Sequence, residues 1–315
     1  MKRVSLLFFA AILICGTVFA AGESTAKSKY VIGVVLHDQQ HGFQMQLGNG
    51  VKKQAKTFPE IELLFNDSEL QVTRELSIVE SYVNRKVDAI ILGALDSEAS
   101  VAAVKAANAA KIPVICVDCP VNGGMVTSFV GYDSYKQGYI AGQLMKEYLN
   151  GKGKVAEVDF PFKSVVIDNR NKGFRDAIKG TKIEIVAVQS GDAKREASAT
   201  VSEYMITANP DLSGIFGVHG DAGLGALAAV ESMKKNNIIV TTIDADKDVL
   251  NAIKRGSPLK GIATTIPEEI GSWGLEIALM AAKGRVVPAY VEIPVVTVEK
   301  GDVEKFFSTS LFEKL

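Results

Sequence analysis

Short apolar runs alternate along this chain with stretches whose apolar residues return every three or four positions. Tyr30 to Leu36, Ile61 to Phe65, Asp88 to Gly93 and Pro113 to Val117 are β-branched and nearly continuous. Such runs predict strands of a parallel sheet covered on both faces. Between them, Leu47, Val51, Ala55 and Phe58 fall at helical spacing, as do Val72, Leu76, Val79 and Val83. The Ala-rich stretch from Ala99 to Ala110 is helical on propensity. The order is βαβαβαβ, and right-handed crossovers turn that order into a doubly wound sheet.

The pattern then restarts. Strands are predicted at Lys154 to Asp159, Ile183 to Gln189, Gly214 to Val218 and Ile238 to Ile243. Helices are predicted around Tyr135 to Leu149, Ile167 to Ile178, Ala197 to Thr207, Gly223 to Met233 and Asp246 to Ile253. A final helix, Glu268 to Lys283, precedes one last strand near Val291 to Val298. No Pro/Gly/Ser-rich linker parts the halves. The expectation is an α/β protein of two doubly wound parallel-sheet lobes, joined by strand crossings rather than a tether.

Ahead of the first strand, Lys2 and Arg3 precede an unbroken apolar run from Leu6 to Cys15, and Val18, Phe19 and Ala20 form a small-residue exit. That order describes a secretory signal peptide over residues 1–20, cleaved after Ala20 with Ala21 the second choice. The run is shorter than the roughly 20 apolar residues of a spanning helix. Cys15 does not read as a lipidation site, because Ile14 before it is bulkier than the residue such sites prefer. The mature protein is therefore expected in the periplasm or outside the cell. Its remaining length, about 295 residues, favours two domains over one core.

Composition narrows the partners. Basic and acidic residues nearly cancel, 35 against 36, which gives no electrostatic reason to expect nucleic acid or an anionic membrane surface. Once the leader is removed, Cys116 and Cys119 are the remaining cysteines, spaced C-x-x-C. A redox pair of that spacing opens a helix, whereas these two lie on or just past a predicted strand. Residues three apart on a strand face opposite ways, about 10 Å apart, too far for a disulfide.

Parallel sheets of this kind bind ligands beyond the carboxyl ends of their strands. The loops at those ends run from His37 to Phe43, then Asn66-Asp67, Ala94 to Asp96 and Asp118-Cys119 in the first half. In the second half they are Phe160 to Phe162, Asp192, His219 to Asp221, and Asp244. All 3 histidines fall in these loops, so chemistry collects there. Two sheets facing each other at those ends would enclose a polar cleft with a few rings, suited to a small, uncharged, hydroxyl-rich molecule.

Other chemistries fit less well. His37, His41 and His219 with Asp38 offer imidazoles of the kind zinc or copper takes, but without a familiar ligand spacing. They read as hydrogen-bonding histidines, and no metal or other cofactor is expected. The glycines of Gly220 to Gly225 echo a dinucleotide loop in the wrong half of the chain. Asp118 and Asp244 are a carboxylate pair of the sort glycosidases use, which keeps an exported carbohydrate-active enzyme as the alternative to a binding protein. Arg170 reads without further context as a solvated charge or a partner of Asp168.

The ordered series of segments resembles type I periplasmic solute-binding proteins, the ribose-binding group in particular, over essentially the whole mature chain. The segments are Ile32 to Leu36 with Phe43, Val87 to Ile91 with Asp96-Ser97, and Ala106 to Val114. They continue through Gly138 to Gly142, Asn171 to Phe174, Ala208 to Leu212, Leu224 to Leu227 and Ile243-Asp244. The resemblance implies three hinge crossings, near Gly131–Asp133, Thr264–Ile266 and Ile293–Val295. The lobes would then be 30–132 with 266–293, and 133–265 with 294–315. It also implies a monomer that holds a monosaccharide or sugar-like polyol without turnover and delivers it to an ABC transporter permease. A chemoreceptor or other sensor is the further partner such proteins can have.

By the same resemblance, Phe43 stacks on the sugar ring and His41 bonds a hydroxyl. Asp118 ends the fourth strand, with Cys119 where relatives carry an arginine. Arg170, His219, Asp244 and the hinge residue Thr265 complete the ligand set. Gln44 stands where many relatives have a second ring, and Ala193 where ribose binders have a phenyl group. Phe160 or Phe162 would restore an aromatic wall. These departures argue against plain ribose.

Overall fold

The structure, a computed structural model, describes residues 29–40 and 42–309. The predicted leader and His41 lie outside the described residues. One six-stranded sheet holds β1 (Tyr30–Leu36), β2 (Ile61–Asp67), β3 (Ala89–Leu92), β4 (Val114–Val117), β5 (Ser128–Gly131) and β11 (Tyr290–Glu292). Its spatial order is β11-β5-β4-β3-β1-β2. The other holds β6 (Lys152–Asp159), β7 (Lys182–Ser190), β8 (Leu212–Gly217), β9 (Ile239–Ile243), β10 (Leu259–Thr264) and β12 (Val296–Glu299), in the order β12-β10-β9-β8-β6-β7. Pairing is parallel throughout except that β12 runs antiparallel to β10.

The first sheet packs with α1 (Gly42–Ala55), α2 (Val72–Asn84), α3 (Val101–Ala109) and α9 (Pro267–Ala282). The second packs with α4 (Ser134–Tyr148), α5 (Val165–Ile178), α6 (Arg195–Ala208), α7 (Gly220–Ser232), α8 (Lys247–Lys254) and α10 (Val303–Thr309). The fold is thus two α/β lobes. Every residue of β3 and β4 is buried, the signature of strands covered on both faces. The chain passes between sheets in three places: from β5 into α4, from β10 into α9, and from β11 into β12.

The two lobes repeat one plan. The helix that follows the first strand packs against the helix that arrives from the other lobe: α1 on α9, and α5 on α4. Both pairs approach closely through glycine. A Cβ on Gly50 would overlap the Glu268 carbonyl, and one on Gly138 would overlap the Arg170 carbonyl.

Several elements were not visible as periodic patterns. β5 is four residues, and β10 is interrupted by Lys260-Gly261; both owe their strand form to pairing with a neighbour rather than to an apolar run of their own. The single last strand expected near Val291 to Val298 is two strands, β11 and β12, in different sheets. The chain leaves one sheet at Glu292 and enters the other at Val296, so its partners change within four residues. Helix starts are capped as the residue types require. Asp133 accepts from Lys136 N at 2.8 Å, and Asp246 accepts from Val249 N at 2.8 Å.

Candidate functional site

The strand-end loops of the two lobes meet around one half-open cavity of about 80 Å³, room for about five to eight water-sized groups. Of the residues expected there, Phe43, Gln44, Asp118, Cys119, Arg170, His219 and Asp244 line it. Thr265 does not: it is fully buried in the hinge segment behind the cavity. His41 lies outside the described residues.

Asp118 and Asp244 occupy equivalent places, directly after β4 and β9. Both have left-handed backbone, with φ of 67° and 71°. That region is costly for most side chains but tolerated by Asp, and it turns each carboxylate off the strand end into the cleft.

A continuous chain of polar contacts joins the two acids across the lobes. Gln44 Nε2 donates to Asp118 Oδ2 at 2.8 Å, and the Tyr132 hydroxyl donates to Asp118 Oδ1 at 2.6 Å. Arg170 Nη2 in turn donates to the Tyr132 hydroxyl at 3.0 Å and to Asp244 Oδ1 at 3.2 Å. Arg170 therefore pairs with Asp244, not Asp168, because residues two apart on a helix point away from each other. Its remaining contacts are Nε to Gln137 Oε1 at 2.9 Å and Nη1 to the Val218 carbonyl at 3.1 Å.

Burial sets the electrostatics. It pushes the Asp118 carboxyl above its ordinary range, against the opposing pull of Tyr132, Arg170 and Gln44. Asp246, partly buried on the cavity wall, is pushed up to about 6 by burial, with Val249 N opposing and Asp221 adding to the rise. Burial works against the Arg170 charge, but Tyr132, Asp244 and Asp118 together hold it above its usual value.

Rings stand on both sides. Phe43, in the first turn of α1, meets Tyr132 edge-on at 6.2 Å. Phe160, rather than Phe162, lines the cavity, and it packs edge-on against His219 at 5.7 Å. His219 also caps α7, its Nδ1 accepting from Ala222 N at 3.4 Å, so its proton sits on Nε2. Cys116 and Cys119 are both buried free thiols. Burial lifts Cys119 to about 11, which keeps it protonated and unreactive. Among the described residues, no group of three or more His, Cys, Asp or Glu side chains is arranged to hold a metal ion.

Tyr132 and Asp246 were not singled out from the sequence. Tyr132 sits in a crossing rather than in a strand-end loop, and Asp246 lies two residues beyond the acid that the strand end marks. A phenol inside a predicted crossing was the available signal.

Comparison with known proteins agrees with this geometry. The model of the periplasmic binding protein domain matches residues 32–285. The ribose import binding protein of Salmonella typhimurium is 30% identical over 289 residues, covering 92% of this chain and 95% of that one. A xylitol-binding protein of Mycolicibacterium smegmatis is 29% identical, covering 91% and 83%. An ABC transporter solute-binding protein of Bacillus halodurans, solved with bound myo-inositol, superposes with a TM-score of 0.86 at 26% identity, covering 90% and 99%. With two six-stranded lobes meeting at a cavity beyond their strand ends and these likenesses along nearly its full length, the chain belongs to the type I periplasmic binding proteins of the ribose-binding group.

Proposed function

We propose that this protein is exported, captures one neutral monosaccharide or cyclic polyol between its lobes, and hands it to an ABC transporter permease without altering it. The observation that carries this reading is the polar chain Gln44–Asp118–Tyr132–Arg170–Asp244, which spans both lobes and borders the cavity between them. Carboxylates accept hydroxyl protons with direction, and Phe43 and Phe160 offer faces for the apolar C–H side of a ring. Phe43, Gln44, Asp118, Cys119, Arg170, His219 and Asp244 are the proposed ligand contacts, with His41 from the same loop. Tyr132, Phe160 and Asp246 join them. Thr265 acts from the hinge.

Charge selects against acids. Asp118, Asp244 and Asp246 line the cavity with one guanidinium among them, and four of the five N–H groups of Arg170 are already committed to protein. A carboxylate or phosphate on the ligand would meet more negative charge than positive. Closure moves residues 30–132 with 266–293 against 133–265 with 294–315, a hinge motion that excludes water and strengthens each bond. The protein works as a monomer. The closed form is the shape a permease, or a chemoreceptor, would read.

A thermal-shift and calorimetric panel tests the reading: pentoses, hexoses, deoxysugars, cyclic polyols, and the matching sugar acids and phosphates. One neutral class should bind, and at a hundred times its Kd it should add about 2.7 kcal/mol to stability. The ligand should be recovered unchanged after long incubation. A flat panel, preference for a sugar acid, or a transformed ligand would each overturn it.

A further inference from the structure

At one rim of the cavity the lobes are joined by protein alone. Lys163, Ser164 and Val165, the turn leading into α5, lie against the loops that follow β3 and β4. Ser97 N donates to the Lys163 carbonyl at 2.8 Å, and Lys163 N donates to Asp96 Oδ2 at 3.1 Å. Val165 N donates to Ser97 Oγ at 3.1 Å. Between the two serines sits the Cys119 sulfur, 3.3 Å from Ser97 Oγ and 3.5 Å from Ser164 Oγ.

Ser97 Oγ already accepts from Val165 N, and Ser164 Oγ accepts from Ile167 N at 3.4 Å. The Cys119 S–H also reaches the Pro120 carbonyl at 3.7 Å. One hydroxyl from each lobe thus meets the sulfur, and either atom of each pair can donate. Ser97, Cys119 and Ser164 are all buried, so these bonds are shielded from water. Ser97 does not line the cavity, whereas Cys119 and Ser164 stand on its wall.

We propose that this seam is a ligand-independent latch: it keeps part of the unliganded population closed, with Ser97 as its central positioning residue. A protein that closes on its own bonds presents a preformed site, and its apparent affinity scales with the closed fraction. The latch rests on the reading that the lobes open and close, but it needs no knowledge of the ligand.

The test uses unliganded full-length mature protein. Maleimide labelling is followed at the Cys119 and Cys116 peptides by mass spectrometry, with the radius of gyration measured by small-angle scattering. Cys116 lies within β4 and serves as the internal control. In the closed form Cys119 is buried, and opening strips it of Ser164 and exposes it. Wild type should label Cys119 slowly. Ser97→Ala should label it at least tenfold faster with a larger radius of gyration, while Cys116 stays unchanged. Ser164→Ala, which removes the other hydroxyl, should do the same.

A second perturbation separates the two ideas. Gly42→Ala strains closure at the opposite rim without touching the seam. If it speeds Cys119 labelling and both serine variants do not, the latch is overturned and the hinge stands. If none of the three changes labelling, the hinge reading falls with it. Fast labelling of both cysteines in a serine variant signals unfolding; the other serine variant then decides, and wild-type Cys119 labelling at the rate of a free thiol overturns the latch outright.

Discussion

Gly42 is where closure can be opposed by a single methyl group. It opens α1 in the first lobe, and an added Cβ would stand 2.6 Å from the Cβ and 3.1 Å from Oδ2 of Asp246 in the second. Carbon atoms pack best at about 3.5–4.0 Å, so the lobes would have to part by roughly an ångström or repack. Asp246 has little room to give way, because its side chain caps α8 through Val249 N. Overpacking of this kind costs about 1–3 kcal/mol, which is roughly 5- to 150-fold in Kd. The clash exists only across the cleft. The separate lobes do not feel it, and alanine suits a helix better than glycine by up to about 1 kcal/mol. Gly42→Ala should therefore weaken ligand binding in calorimetry while the unliganded melting temperature holds or rises. Affinity within twofold of wild type would refute the reasoning, as would an affinity loss accompanied by a drop in melting temperature.

Two further perturbations probe the same cavity. Tyr132→Phe keeps the ring that meets Phe43 but deletes the hydroxyl between Asp118 and Arg170. Only the Arg170 bond crosses the cleft, and with a hydrogen bond to a charged group worth about 1.5–3 kcal/mol, affinity should fall roughly 10- to 150-fold; a change under threefold would show that the polar chain does not couple the lobes. Asp246 carries a proton in the native state up to about pH 6 but in the unfolded chain only up to its ordinary 3.8. Its contribution to stability is thus fully present below the unfolded value and is lost as pH rises through about 6, by at most about 3 kcal/mol. Asp246→Asn should gain on wild type most at pH 7 and least near pH 4.5 in denaturant titrations, and a gap that does not change with pH would overturn the assignment.

Much of this was legible because buried parallel strands write themselves as continuous apolar runs. Ile90, Ile91, Val114 and Ile115 could hardly be anything else, and once they are placed, Asp118 and Asp244 follow as the first polar residues beyond strand ends. Elements at the sheet edges and crossings were harder. β5 and β10 take their form from a neighbour's hydrogen bonds, and hydrophobic periodicity carries no record of a neighbour. The same limit hid Tyr132, whose importance comes from lying between an acid of one lobe and an arginine of the other. Thr265, placed in a crossing by the resemblance, is buried between β10 and α9 and does not line the cavity. Ser97 and Ser164 are ordinary loop serines until a third loop brings sulfur between them.

The interleaving of the chain also dictates when the molecule can fold. The first lobe begins at Tyr30 but lacks α9 and β11 until Glu292 has been made, almost the end of 315 residues. Without α9, the core around β3 and β4 is missing Ile270, Leu275, Ile277 and Ala278 and lies open on that side. The second lobe, although later in sequence, has five of its six strands in hand by Thr264. Each lobe thus waits for a strand near the carboxyl end, β11 for the first and β12 for the second. A ribosome can release nearly the whole polypeptide before its amino-terminal half is able to lock, a property that suits the export proposed above.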